Sequence, residues 1–160
     1  MGNDTAAIRK RNAARKARFR ALADADVLTA AEGVESRAGA TQEFARTTQL
    51  EEDVRTNRTS STTSMRALTS SASASAEEIS LRASSPANAH LRNAGRAFRS
   101  ADTSIRRDDW NAASGHATRA VGHVDRAVST ATSTTIKRQA RTLRGASRII
   151  EKRAKARAAR

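Results

Sequence analysis

The sequence predicts an all-α fold of elongated helices with thin, coiled-coil-like seams, including a helical hairpin at about 86–156. Three observations carry that prediction. A single proline, Pro86, punctuates 160 residues, and the aromatic side chains are Trp110, Phe19, Phe44 and Phe98 alone. No stretch alternates apolar and polar residues at the period of two that a half-buried strand needs. Instead, helix-favouring Ala, Arg, Glu and Lys surround apolar residues that recur in steps of three and four.

Composition bounds what such helices do. Large apolar residues number 24 after Met1, and Leu, Ile, Val and Phe together fall below the ~20% that, with high net charge, marks a chain poor in independent core. The expectation is a homo- or hetero-oligomer that borrows burial from copies of itself or from other molecules. The formal net charge of +14 and pI of about 11.7 point to polyanionic partners. No cysteine is present, which excludes disulfides and thiolate metal sites. No apolar run approaches the ~18 residues of a membrane span. The basic start "MGNDTAAIRKRNAARKARFR" is not followed by the apolar stretch of a secretory signal. An intracellular or virion location is therefore expected, with a membrane partner disfavoured.

Three segments follow from charge and periodicity. Residues 1–33 read as a basic helix, at about 5–31, leading into an acidic belt. Its Arg11, Arg15, Lys16, Arg18 and Arg20 surround the helix on all sides, as suits an arm lying between phosphates. Residues 34–85 are acidic and then Ser/Thr-rich. The belt (Glu35, Glu43, Glu51, Glu52 and Asp53 among others) suits self-association, a folded-back basic arm, or simply a solvated face. The Ser/Thr-rich stretch resembles a linker, yet Val54, Arg58, Ser61, Met65, Leu68, Ala72, Ser75 and Ile79 step by four and three. That spacing favours one helix over about 41–83, with a thin seam that needs a partner, over the alternative of a flexible linker.

Residues 86–160 form the third segment. Ser85 reads as a cap and Pro86 as the first helical position. Leu91, Phe98 and Ile105 recur every seven residues with Ala94 and Ala101 between them. The register breaks at 107–109, where Asp108 reads as the next cap. A second seam runs Trp110, Ser114, Ala117, Val121, Val124, Val128, Ala131 and Thr135. A one-residue step then lets the helix continue over Ile136, Leu143 and Ile150, to about 156, some 70 Å at 1.5 Å per residue.

The closing stretch "KRQARTLRGASRIIEKRAKARAAR" has an order that composition alone hides. On a helical wheel Ile136, Ala140, Leu143, Ser147, Ile150 and Ala154 share one face. Lys137, Arg141, Arg144, Arg148, Lys152 and Lys155 share another, about 100–180° away. A solvated helix explains six aligned cations poorly, and a membrane-surface helix needs bulkier apolar anchors than these. A helix facing nucleic-acid phosphate fits both faces. Base stacking is not expected, because the aromatic residues fall on the seams.

No catalytic constellation emerges, and no cofactor is implied. His116 and His123 lie about 10 Å apart along one helix, awkward for a shared metal. Neither a nucleophile motif nor a glycine-rich phosphate loop occurs. The expected function is non-enzymatic: a helical structural protein of a nucleoprotein assembly, of virion-interior or nucleoid type, contacting phosphate without sequence specificity. The alternative is a coiled-coil adaptor or scaffold subunit docking its basic ends on acidic protein surfaces.

Overall fold

A computed structural model describes residues 44–160 together with Ala13 and Ala14. The expected basic helix at 5–31, with Arg11, Arg15, Lys16, Arg18 and Arg20, lies outside the described residues. The unit Ala45–Arg160 is all-helical, with α1 Ala45–Thr56, α2 Thr62–Arg82, α3 Ala87–Arg106, α4 Trp110–Thr130 and α5 Thr134–Ala158. No strand occurs among the described residues.

The four long helices close into a ring: α2 packs on α3, α3 on α4, α4 on α5, and α5 back on α2. Short connections make successive helices antiparallel. The shorter α1 lies along α2 and also reaches α5. Thr47 Oγ1 meets Ser75 Oγ at 3.0 Å, and the Ser71 hydroxyl donates to the Asp53 carboxylate. These pairs run in opposite chain directions, so α1 is antiparallel to α2.

The seams point into this ring. Met65, Leu68 and Ile79 of α2, Leu91, Phe98 and Ile105 of α3, Trp110, Val124 and Val128 of α4, and Ile136, Leu143 and Ile150 of α5 are all buried. Val121 is half-buried; it sits three residues before Val124, about 60° round the helix at the rim of the packed face. The elongated arrangement expected from the sequence is therefore replaced by helices that cover one another's seams. The reason is alanine. Fourteen buried alanines stand between the large side chains, and their small volume lets helix axes approach closely. Counting large residues alone misses that contribution.

Two expected long helices are each broken. The helix over 41–83 stops at Thr56 because nearby side chains take its last carbonyls: the Thr56 hydroxyl donates to Glu52 O at 3.1 Å, Asn57 Nδ2 to Asp53 O at 3.0 Å, and Arg58 Nε to Arg55 O at 2.9 Å. Ser61 then opens α2 by accepting the Ser64 amide at 3.2 Å. The 70 Å helix over 109–156 breaks likewise. Ala131 closes α4 in extended backbone, and Ser133 caps α5 through the Ile136 amide. Two caps are displaced by one residue from their expected places. Pro86, not Ser85, occupies the cap position of α3, with no side-chain bond. Asp109, not Asp108, caps α4 by accepting the Ala112 amide at 3.0 Å.

Asp108 instead makes the corner, at φ 57°, a left-handed conformation that Asp tolerates better than most residues. Its carboxylate receives the Trp110 indole N–H. One close approach lies between α2 and α3. Ser73 Oγ donates to the Gly95 carbonyl at 3.1 Å, and a Cβ on Gly95 would meet Glu77 Cγ at 3.4 Å.

Gly115 and Gly145 have nothing within 4 Å of an added Cβ and lie inside helices. Gly115→Ala and Gly145→Ala should each stabilise the protein by about 0.5–1 kcal/mol, read as an increase in Tm or urea midpoint. A second prediction concerns pH. Glu78 Oε2 accepts the Arg46 amide at 2.8 Å, while its Oε1 is buried without a partner. Burial pushes the carboxyl from 4.5 up to about 7 despite the opposing Arg46 amide and charge. Folding favours the protonated form, so this stability is full below pH 4.5 and is lost as pH rises through 7. His123 runs the other way. Burial, then Arg126 and His90, hold its imidazole below 6.5, so its contribution is present above pH 6.5 and falls on acidification. Urea midpoints at about pH 5 and 8 separate the two. Glu78→Gln should weaken the loss of stability at high pH, and His123→Gln the loss at low pH.

Candidate nucleic-acid interface

The candidate interface lies on α5, whose backbone is fixed by its buried stripe. Ile136, Ala140, Leu143, Ser147, Ile150 and Ala154 face the core. The buried Ser147 hydroxyl is satisfied within the helix, donating to Leu143 O at 2.6 Å. Once that stripe is packed, the helical period turns the six predicted cations outward. Arg141, Arg148, Lys152 and Lys155 are exposed, and Lys137 and Arg144 are half-buried. From Lys137 to Lys155 the row runs about 27 Å at 1.5 Å per residue.

The six cations are not equivalent. Arg148 Nη2 lies 3.6 Å from Asp125 Oδ1 of α4, and Lys155 Nζ lies 2.7 Å from Glu151 Oε1. Glu151 also accepts the Thr118 hydroxyl at 2.9 Å. The Lys155 bond, with Thr118 and the Lys155 and Arg148 charges, holds the Glu151 carboxyl below its usual range in spite of partial burial. Lys137, Arg141, Arg144 and Lys152 make no ion pair among the described residues. Four cations thus stand without an ion pair among the described residues, and two more are held in ion pairs at the flank toward α4.

Two other arginines of the closing stretch have structural roles. Arg153 Nη1 donates to the carbonyls of Asn57 at 2.6 Å and Thr59 at 3.3 Å, tying α5 to the α1–α2 connection. The Arg157 guanidinium stacks 4.4 Å from the centre of the Trp110 ring and reaches Asp108 at 3.7 Å. Basic composition hides this division of labour; the helical angle of each residue reveals it.

Sequence reasoning passed over a second set of cations. Arg92, Arg96 and Arg107 near or on α3, with Arg119 and Arg126 on α4, are all exposed. Their signal is their place opposite the seam residues of their own helices.

A cavity of about 380 Å³ between α2 and α3 is lined by Thr69, Ser73, Glu77, Arg99, Asp102 and Arg106 among others. Its charges are already matched: Arg99 pairs with Glu77, and Arg106 with Asp102 at 2.9 Å. His90 and His123 stack with ring centres 6.5 Å apart, and no group of three metal-ligating side chains occurs among the described residues. No described helix is long and apolar enough to cross a membrane. In comparisons with known proteins, no family model, curated protein or solved structure matches the chain.

The Arg157 contacts should matter for the end of α5. Arg157→Ala removes the stacking on Trp110 and the ion pair to Asp108. It is expected to cost about 1 kcal/mol and to speed amide exchange selectively over the last two turns of α5, measurable by hydrogen–deuterium exchange.

Proposed function

We propose that this protein is a non-enzymatic, helical structural component of a nucleoprotein assembly, binding nucleic-acid phosphates through the outer face of α5. The observation that carries the reading is the row of Lys137, Arg141, Arg144 and Lys152. These residues are outward-facing and without acidic neighbours in ion-pair contact, on a helix whose opposite face is locked into the core. Phosphate neutralises such a row and releases counterions, which a protein carboxylate at the surface does less effectively. The face carries no aromatic residue, so base stacking does not contribute and the duplex backbone suits it better than an unstacked single strand. Over Ala45–Arg160 the sequence has 22 Lys and Arg against 10 Asp and Glu, a field that draws polyanions in before contact is made. A virion interior or a nucleoid provides such a ligand. Self-association through surfaces beyond this unit fits the same role.

The test is duplex DNA binding over a salt series with the full chain. Binding should be insensitive to sequence and should weaken steeply with salt. Replacing Arg141, Arg144, Arg148 and Lys152 with Gln should flatten the slope of log K against log salt by about 3 or more. Absence of binding at low salt, or an unchanged slope in that variant, refutes the reading. Preferential binding to an acidic protein surface under the same conditions would favour the adaptor alternative.

A further inference from the structure

The cations of α3 and α4 form a second surface, and the ring topology decides where it points. Each of α3 and α5 packs on both α2 and α4, so α3 and α5 occupy opposite corners with the other two helices between them. The solvent face of α3 therefore looks away from that of α5. It carries Arg92 and Arg96, with Arg107 just past its end, and the neighbouring α4 adds Arg119 and Arg126.

These residues belong together. The stacked rings of His90 and His123 set the register of the two helices. Counting from them at 1.5 Å per residue puts Arg96 and Arg119 within about 3 Å of the same level along the axis. None of the five forms an ion pair among the described residues. Asp102, the acidic residue of α3, is already engaged by Arg66 and Arg106 on the side toward α2. The patch is arginine throughout, and the guanidinium fork matches phosphate oxygens two at a time. Like charges gathered on neighbouring helices repel one another in the free protein, and a layer of phosphates relieves that repulsion.

We infer that the protein has two phosphate-binding faces on opposite sides of one bundle and bridges two duplex segments, the second held by Arg92, Arg96, Arg107, Arg119 and Arg126. The inference rests on the α5 reading above for its first face. Bridging converts a coating protein into one that draws separate stretches of nucleic acid together.

The test uses the full chain, a duplex fixed to beads and a second, fluorescently labelled duplex in solution at low salt. The wild-type protein should carry the label onto the beads. A variant with Arg92→Gln, Arg96→Gln, Arg119→Gln and Arg126→Gln should still bind one duplex, with affinity reduced about tenfold or less, and should lose most of the capture. Circular dichroism checks that its helix content is unchanged. The milder pair Arg96→Gln and Arg119→Gln should show partial loss and serves if the fourfold variant misfolds. Full capture by a folded variant overturns the inference, because the bridge then runs through other surfaces or through paired copies. Wild-type protein that binds duplex but captures no second one overturns it too, leaving the α5 reading intact. Failure of the wild-type protein to bind any duplex removes both.

Discussion

The structure depends on close approach of helices across small side chains. Leu, Ile, Val, Met and Phe are too few to fill a wide core, so the ring closes only where Ala, Ser and Gly let backbones come near. The contact of Ser73 with the Gly95 carbonyl shows how this works. A side-chain hydroxyl buried between α2 and α3 finds its partner in a backbone made accessible by the missing Cβ. Thr69 and Ser147 solve the same problem internally, each returning its hydroxyl to a carbonyl four residues earlier. These three hydroxyls enter the core already paired, and the large residues at heptad spacing supply most of the apolar burial.

Connections between helices do the remaining work of the fold. The Asp108 corner binds Trp110 and Arg157, joining the α3–α4 turn to the end of α5. Arg153 binds the carbonyls of Asn57 and Thr59 at that same end. One end of the ring is thus stitched by arginines that the closing basic stretch contributes, while their neighbours on the opposite side of α5 remain in solvent. A single helix serves as core wall, clasp and cationic face according to the angle at which each side chain leaves it.

Much of this was legible in the sequence. The steps of three and four identify most of the buried positions of α2 through α5, with Ser114 and Val121 half-buried at the rim, and the wheel of residues 136–157 separates core from cations. What escaped was local. Arg58 and Ser61 match the heptad spacing of a seam, yet both are polar and both belong to caps, where side-chain bonds outcompete helix continuation. The step between Thr135 and Ile136 looks in the sequence like a slip in register, whereas Ser133 at a cap turns the chain back. Periodicity reports which face a residue occupies; it does not report whether two such faces are one helix or two. The burial available inside the ring is underestimated for a related reason. Alanine contributes little per residue, so a tally of bulky side chains overlooks an interface made of many small ones. The cations of α3 and α4 were missed because they are dispersed along the sequence and gather only when antiparallel packing brings them to one side.

The small-residue packing also bears on how such a protein can change over time. Where backbones nearly touch, enlarging a side chain pushes whole helices apart, so the interior tolerates little drift. The outward arginines and lysines carry no such constraint, since most touch nothing that holds the ring shut. Mutation can therefore retune grip on a polyanion, one charge at a time, while the scaffold beneath stays fixed; lineages of this chain should diverge in surface charge well before they diverge in shape.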